Sequence, residues 1–337
     1  GLGAARDDAA LDASTPDFFA APAAALMAKR AKTFNFAARL LPSATRDQVA
    51  TLYRFCRVVD DLADDLGDPA LSRMWLDRVY GDLDRGHSTL PPIADFLELS
   101  ERREIPRELA LELVRGLRSD LGRVRCGSVD ELVRYCYQVA STVGVMMCKV
   151  LGARSSQAPL YAVDLGIGMQ LTNIARDVAE DLEEDRIYLP ADWVDAETVR
   201  RGVSGEPRAA ATVFATVERL LDLAHDYYRS ADVGIALLPA GARWSILTAG
   251  RSYEAIGHRI RDLGPGYWRG RVYTGTGRKV FESVKAAGTL TGRQVAAAFG
   301  RRPQPRRHRE RLHQPLATLP SAALWRPGSL SSARGLG

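Results

Sequence analysis

The sequence predicts an all-α protein, and two observations support this fold class. Apolar residues recur at three- and four-residue spacing through most of the chain, which is the period of amphipathic helices. Alternating apolar and polar runs bounded by turn residues, which indicate strands, are nearly absent. A length of 337 residues with 46% apolar and 26% charged residues is typical of a folded globular chain. We therefore expect a helical bundle.

The predicted helices follow one another with proline and glycine between them. They cover about residues 18–40, 46–66, 69–86, 92–103, 107–123, 129–151, 157–184, 208–237 and 241–262. No change in composition interrupts this series before residue 300. We expect a flexible N-terminal segment over 1–17, a single domain over 18–300 and a basic, disordered tail over 301–337.

The net charge of +5 and the pI near 9.1 are properties of the tail. Residues 301–337 hold eight arginines and one glutamate, a charge of +7, so residues 1–300 carry 5 − 7 = −2. A slightly acidic body argues against a nucleic-acid partner. The tail arginines are consistent with peripheral binding to anionic lipid at the inner membrane face, and a solvated tail without any partner is the alternative.

The chain is expected to be cytoplasmic. No apolar run approaches the length needed to cross a bilayer. The four cysteines form no CxxC pair, so free thiols in a reducing compartment are expected. Nothing in the sequence indicates an obligate protein partner.

Four carboxylates crowd the end of the second predicted helix: Asp60, Asp61, Asp64 and Asp65. In a helix, Asp60 and Asp64 share one face and Asp61 and Asp65 share another. Like charges at this spacing destabilise a helix by about 0.2–0.5 kcal/mol per pair, so a compensating charge is expected nearby. A solvated acidic helix end explains this cluster equally well.

A polar stripe crosses an otherwise apolar helix further along the chain. It consists of Gln170, Asn173, Asp177 and Asp181, at steps of three, four and four residues. Buried carboxylates without a cation are costly. Carboxylate and amide oxygens suit a hard cation such as Mg²⁺, which proteins hold with one or two carboxylates plus substrate phosphates. A buried hydrogen-bond network between helices is the alternative.

Two acidic helix faces that oppose one another across a bundle could hold metal ions and bind a diphosphate between them. Metal ions and basic side chains stabilise the charge that develops on a departing diphosphate. Arg57, one turn before Asp61, and Arg176, beside Asp177, are candidate basic partners. Simple neutralisation of the neighbouring acids explains both arginines equally well.

Helical glycines between the two clusters indicate close packing or a cavity. Gly144, Gly166 and Gly168 each cost about 1 kcal/mol relative to alanine. Either close helix contact or a wall that admits a long apolar ligand would justify them. An apolar cavity beside a metal and diphosphate site indicates a prenyl diphosphate substrate. Motifs of hydrolases and nucleotide-binding proteins are absent, and the five histidines show no metal-ligand spacing.

Three segments resemble the squalene/phytoene synthase family. Tyr53 to Asp64 resembles its first aspartate-rich motif, and Tyr135 to Gly144 resembles its YCxxVAGxVG helix. Gln170 to Asp181, followed by Arg186 to Pro190, resembles its second motif. The resemblance is most specific at 166–193 and covers about residues 25–285.

This resemblance implies a single-domain isoprenoid-synthase helical bundle with a central apolar cavity. It also implies transferase activity in carotenoid biosynthesis, and the chain is most similar to the bacterial members that make phytoene. They join two geranylgeranyl diphosphates head to head, through prephytoene diphosphate, and release diphosphate. No reductant is expected.

The resemblance assigns roles residue by residue. The ligands of Mg²⁺ or Mn²⁺ would be Asp60, Asp61, Asp64, Asn173, Asp177 and Asp181. The substrate would contact Tyr53, Arg57, Gln170, Asn173 and Arg176. Tyr137 would lie near the reacting carbons and would act in catalysis together with Asp60, Asp64, Asp177 and Asp181.

The sequence departs from the family pattern at Thr33, Cys126, Ser141 and Asp185. None of these departures removes an implied metal ligand. Two other activities stay open. The first is squalene, dehydrosqualene or presqualene diphosphate synthesis from farnesyl diphosphate, because pocket depth sets chain length. The second is a non-catalytic family member that acts as a scaffold.

Overall fold

The computed structural model describes Pro16, Phe19 and residues 43–270 and 308–326. Within these ranges the fold is a bundle of eleven α-helices with one pair of two-residue strands. The helices are α1 (Ser43–Asp64), α2 (Pro69–Arg85), α3 (Pro91–Arg102), α4 (Arg107–Ser119), α5 (Val129–Cys136), α6 (Thr142–Leu151), α7 (Ala158–Arg176), α8 (Val178–Glu183), α9 (Ala196–Val203), α10 (Pro207–Gly234) and α11 (Ala240–Leu263). The predicted all-α class is confirmed.

Apart from helix α9, which was not predicted, the predicted helix boundaries agree with the structure to within a few residues from α1 onwards, because proline, glycine and capping residues mark them. For example, Asp68 accepts a hydrogen bond from the backbone N–H of Ala70 at 2.8 Å, Pro69 occupies the first helical turn, and Gly86 ends α2 with φ +74°. The predicted helix over 18–40 lies outside the described residues.

Helix α7 is the central element of the bundle. It packs against α5, α6, α10 and α11, and it carries the polar stripe near its C-terminal end. Helix α1 packs against α2, α3, α4 and α6. Both helices that carry acidic clusters therefore lie against α6.

Two predicted helices are interrupted. The helix predicted over 129–151 contains a π-helical turn at Tyr137–Ser141, where the Ser141 hydroxyl donates to the Val163 carbonyl at 2.8 Å. The helix predicted over 157–184 breaks at Asp177, which has φ −99° and ψ 16° and separates α7 from α8. Such π turns occur frequently at functional sites, and both irregularities lie in the segments that resemble family motifs.

The strand pair joins distant parts of the chain. Strand β1 (Val124–Arg125) runs parallel to β2 (Arg186–Ile187), with Val124 opposite Arg186. Hydrogen bonds from Val124 N to Asp185 O and from Cys126 N to Ile187 O, both 3.2 Å, fix this register. The pairing holds the segment after the second acidic cluster against the end of the α4 region.

The expectation of a disordered tail is wrong for residues 308–326. Two 3₁₀ segments, Glu310–Leu316 and Pro320–Leu324, pack on the bundle. The Tyr227 hydroxyl donates to the Leu312 carbonyl at 2.7 Å, and Trp325 is 2% exposed. The average composition of 301–337 is polar and basic, so it did not indicate these few apolar residues. They are buried against the bundle and form no separate core.

The structure also bears on the membrane and cysteine expectations. No helix among the described residues is long and apolar enough to cross a membrane. All four cysteines are free thiols.

Close packing explains Gly166. A Cβ atom at Gly166 would lie 2.6 Å from the Ser141 Cα atom and 2.7 Å from its backbone nitrogen. Real Cβ atoms do not approach backbone so closely, so α7 meets the π turn only because residue 166 has no side chain.

We expect Gly166→Ala to lower the free energy of unfolding by about 1–2 kcal/mol, because the clash with the Ser141 backbone outweighs the gain in helix propensity. Gly81→Ala is the matched control, since a Cβ in α2 would meet only the flexible end of Arg85, at 3.1 Å. Urea denaturation measures both variants. Equal stability of the two would contradict the packing argument.

Candidate active site

The first acidic cluster lies at the C-terminal end of α1, around the guanidinium of Arg57. Arg57 Nη1 lies 3.0 Å from Asp60 Oδ2, and Arg57 Nη2 contacts Asp61. The Asp65 carboxylate is 3.7 Å from Nη2. Arg57 therefore neutralises its acidic neighbours in this structure, which is one of the two roles expected for it.

The second acidic cluster begins on α7 and continues onto α8. Arg176 forms a two-pronged ion pair with Asp177, with both N–O distances at 2.6 Å. Asn173 Nδ2 donates to Gln170 Oε1 at 3.3 Å. The buried Oδ1 atom of Asn173 has no hydrogen-bond partner among the described residues.

Arg186 links the two clusters. Its Nη1 atom lies 3.4 Å from Asp64 Oδ1 on α1 and 3.0 Å from Glu184 Oε2 just beyond α8. It also lowers the pKa of Asp181, against the effect of burial and of Asp177. The strand pairing of Arg186 with Val124 places this cation. The end of α1 and the end of α8 consequently share one polar site.

Asp120 is a site residue that sequence reasoning missed. It ends α4 and accepts hydrogen bonds from the hydroxyls of Tyr135 and Tyr188, each at 2.7 Å. Burial raises the pKa of Asp120 to about 7, and the charge of Asp64 adds to this effect. An isolated aspartate at a helix end carries no sequence signal. The two tyrosines that bind Asp120 both lie in segments that resemble family motifs, but neither motif includes Asp120 itself.

Carboxylates at this site hold their protons unusually strongly. Burial, followed by repulsion from Asp64, raises the pKa of Asp60 to about 6. Burial, followed by repulsion from Asp177, raises the pKa of Asp181 to about 8. A cation beside these carboxylates would favour their charged forms and so lower both pKa values. The oxygen-only donors and the unpartnered Asn173 oxygen fit a hard divalent metal ion.

An apolar cavity of about 330 Å³ begins beside Gln170 and Asn173. Its α7 wall consists of Ala158, Tyr161, Ala162, Leu165, Gly166, Met169, Gln170 and Asn173. These positions share one helix face, and at 1.5 Å per residue they extend over roughly 20 Å. The predicted central apolar cavity is therefore present, with amide groups at one end.

The helical glycines allow close helix packing, and two of them also line the cavity. Gly144 and Gly166 line the cavity, and each also approaches a neighbouring backbone closely. A Cβ at Gly144 would lie 2.9 Å from the Ala162 carbonyl oxygen. Gly168 instead packs against Tyr228 and does not line the cavity.

The two tyrosines implied by the family resemblance are placed differently from the acidic residues. Tyr53 is half-buried on α1 and packs against the main core. Tyr137 is fully buried, and its hydroxyl accepts a hydrogen bond from Trp325 Nε1 at 3.0 Å. Tyr137 does not line the cavity.

The squalene/phytoene synthase family model matches residues 27–278, and the chain belongs to this family. A 15-cis-phytoene synthase from Paracoccus sp. is 37% identical over 262 residues, which cover 74% of this chain and 84% of that protein. A 15-cis-phytoene synthase from Enterobacter agglomerans is 34% identical, covering 79% of this chain and 94% of that protein. The chain is accordingly an enzyme of the prenyltransferase type.

Solved structures agree with the helical architecture. A dehydrosqualene synthase in complex with ligand has a TM-score of 0.70 and 26% sequence identity, covering 82% of this chain and 97% of that one. A squalene synthase from Alicyclobacillus acidocaldarius, 23% identical with a TM-score of 0.63, covers 74% of this chain and 94% of that one and shares the fold. Enzymes of this family act on prenyl diphosphates and generally need a divalent metal.

We expect the metal-free protein to lose stability as the pH rises from 5 to 8. Asp181 has a pKa of about 8 in the folded chain, against an ordinary value of 3.8. The folded state therefore holds more protons than the unfolded state between these values, and stability falls with pH. Because metal binding needs ionised ligands, Mg²⁺ should raise Tm more at pH 8 than at pH 6.

Calorimetry at both pH values, with and without Mg²⁺, measures this effect. Asp181→Asn is the matched control and should reduce the pH dependence of Tm. An equal Mg²⁺ effect at the two pH values would contradict the proposed ligand role of Asp181.

Proposed function

We propose that this chain is a phytoene synthase, which joins two molecules of geranylgeranyl diphosphate through prephytoene diphosphate and releases diphosphate at both steps. The observation that carries the proposal is the long apolar cavity that begins beside the polar stripe of α7. Relatives named phytoene synthase, 34–37% identical over most of the chain, support the choice of substrate.

The proposed metal is Mg²⁺ or Mn²⁺. The proposed ligands are Asp60, Asp61, Asp64, Asn173, Asp177 and Asp181. When bound, the metal neutralises the diphosphate and so makes it a better leaving group. The unpartnered Asn173 oxygen and the raised pKa values of Asp60 and Asp181 support this set.

Three arginines can hold the diphosphate. Arg57 and Arg176 now bind aspartates, and Arg186 bridges the two clusters. Guanidinium groups bind phosphate in the same two-pronged manner as carboxylate. We propose that these arginines exchange carboxylate for phosphate oxygens when substrate binds, while Gln170 orients the diphosphate at the start of the cavity.

The apolar cavity protects the carbocation that forms when diphosphate departs. Departure of diphosphate leaves an allylic or cyclopropylcarbinyl cation, which water would trap as an alcohol. The lining beyond Gln170 and Asn173 is almost entirely aliphatic, aromatic or thioether in character. It excludes water and keeps the cation available for carbon–carbon bond formation.

The proposal gives the two tyrosines different roles. Tyr53 lies on α1, seven residues before Asp60, and stays a proposed substrate contact. Tyr137 is proposed as a positioning residue, because its hydroxyl is engaged by Trp325 and it does not line the cavity.

A farnesyl diphosphate enzyme is the second candidate, and the dehydrosqualene synthase structure with a TM-score of 0.70 favours it. The same metal site would serve both substrates. A non-catalytic scaffold is disfavoured because all proposed carboxylate ligands are present.

Product analysis distinguishes the candidates. Purified full-length protein is incubated with Mg²⁺ and either geranylgeranyl or farnesyl diphosphate, with and without NADPH, and the extracted hydrocarbon is identified. We expect phytoene from the longer substrate without reductant. Reductant-dependent squalene as the main product would falsify the proposal, and no product from either substrate would favour the scaffold.

Substitution of a proposed ligand should abolish turnover without unfolding the protein. Asp60→Asn and Asp177→Asn are expected to lower kcat at least about a hundredfold, because each removes a charge that holds the metal. Glu180→Gln on α8 is the matched control, since Glu180 is exposed and lies outside the proposed ligand set. Circular dichroism checks the fold, and wild-type turnover in Asp177→Asn would contradict the metal assignment.

The far end of the cavity should select chain length. Ala158 lines the cavity at the N-terminal end of α7 and is 2% exposed. We expect Ala158→Phe to shorten the cavity and to raise the ratio of kcat/KM for farnesyl over geranylgeranyl diphosphate about tenfold or more. Ala158→Val should have a smaller effect in the same direction. An unchanged ratio in both variants would contradict substrate binding along α7.

Peripheral membrane association stays a prediction. Among the tail arginines that the structure describes, Arg309 forms an ion pair with Asp226 at 2.7 Å. Arg326 donates to the neutral His313 carbonyl at 3.3 Å and keeps its charge. The charge left for an anionic surface is therefore smaller than the sequence suggested.

A further inference from the structure

A buried cluster of two histidines and one aspartate lies outside the proposed active site. His308 Nε2 is 2.9 Å from one Asp164 oxygen, and His313 Nε2 is 2.8 Å from the other. The side chain of Asp164 is 0% exposed, and those of His308 and His313 are 8% and 5% exposed. The five histidines show no metal-ligand spacing in the sequence, but the fold brings these two together at one carboxylate.

The spacing along the sequence gave no indication of this cluster. Asp164 belongs to α7, while both histidines come from residues 308–326, more than 140 positions away. Asp164 does not line the prenyl cavity. The cluster is therefore separate from the cavity lining and from the proposed carboxylate metal site.

A carboxylate with no exposure needs a positive partner. Burial acts to raise the pKa of Asp164, but the hydrogen bonds from the two histidines outweigh burial and lower it, so Asp164 is ionised. The group accordingly offers one carboxylate and two imidazole rings whose ligand atoms converge, and these side chains bind metals in their deprotonated forms.

We propose that Asp164, His308 and His313 bind a divalent transition-metal ion, with Zn²⁺ as the best fit. Their three ligand atoms lie within 4.8 Å of one another. Imidazole nitrogens favour Zn²⁺ over Mg²⁺, and three protein ligands plus one water complete a tetrahedral site. Each neutral ring would then bind the metal through Nε2 and carry its single proton on Nδ1, so the metal replaces the Nε2 contacts to the carboxylate.

Metal binding at this site fastens the C-terminal segment to the central helix. The His313 ring lies 4.9 Å from the Trp325 ring, and Trp325 donates to the Tyr137 hydroxyl. A metal between Asp164 and the histidines would therefore hold the segment that contacts the π turn. Its role is structural, and it differs in ligand chemistry from the carboxylate site at the other end of α7.

Cobalt(II) is a suitable probe because four-coordinate Co²⁺ absorbs strongly in the visible range, whereas octahedral Co²⁺ at an oxygen-rich site absorbs weakly. Chelator-treated full-length protein is titrated with Co²⁺ in excess Mg²⁺. We expect one equivalent to produce the strong bands and Zn²⁺ to abolish them. Asp177→Asn, in the carboxylate site, should leave the bands unchanged.

His308→Asn and His313→Asn should abolish the strong bands while circular dichroism shows a folded chain. Loss of the bands in Asp177→Asn, or their persistence in both histidine variants, would overturn the proposal. Absence of the bands in the wild-type protein would mean that Asp164 and the two histidines form only a hydrogen-bonded cluster. This result would also overturn the proposal.

A second measurement needs no variant. X-ray absorption of the wild-type protein with one equivalent of Zn²⁺ should show two imidazole ligands, and a shell of oxygen atoms alone would contradict the site. Hydrocarbon synthesis measured in parallel distinguishes failure of this site from failure of the proposed function.

Discussion

The concentration of carboxylates beside an apolar cavity is the constraint on which the site depends. Asp60, Asp120 and Asp181 all have raised pKa values, because burial disfavours their charges and neighbouring acids repel them. Arginines offset part of this cost, since Arg57 pairs with Asp60 and Arg176 pairs with Asp177. The site still has an excess of negative charge, and this excess is the basis of the proposal that it binds metal ions together with a diphosphate.

Helix α7 connects the separate parts of the molecule. One face forms the cavity wall from Ala158 to Asn173, and its C-terminal end leads into the second acidic cluster. Asp164 points elsewhere, towards the histidines of the C-terminal segment. The contact between Gly166 and the Ser141 backbone keeps α7 close to the π turn. Small shifts of this helix would therefore change the cavity and both polar sites together.

Local features were predictable from the sequence, and contacts across the bundle were not. Helix limits follow from periodicity, capping and proline, and the spacing of Gln170 and Asn173 places them on one face of α7. The break at Asp177, which puts Asp181 on α8, was not predicted. Arg186 and Asp120 reach the site through a strand pair and two tyrosine hydroxyls, which no local pattern encodes. The folded segment 308–326 was missed because its few apolar residues need the bundle to bury them.

The polar groups and the apolar lining lie at opposite ends of the cavity, and this separation explains why the motifs do not indicate substrate length. All charged groups proposed to act on the substrate lie at the end of the cavity beside Gln170 and Asn173, where they would contact the diphosphate. Farnesyl and geranylgeranyl diphosphate have the same diphosphate group. Discrimination must then come from apolar volume at the other end, near Ala158 and Leu238. Each added methylene there contributes about 0.8 kcal/mol when buried. Chain length therefore depends on packing residues that carry no functional motif, whereas reaction type depends on the acidic clusters.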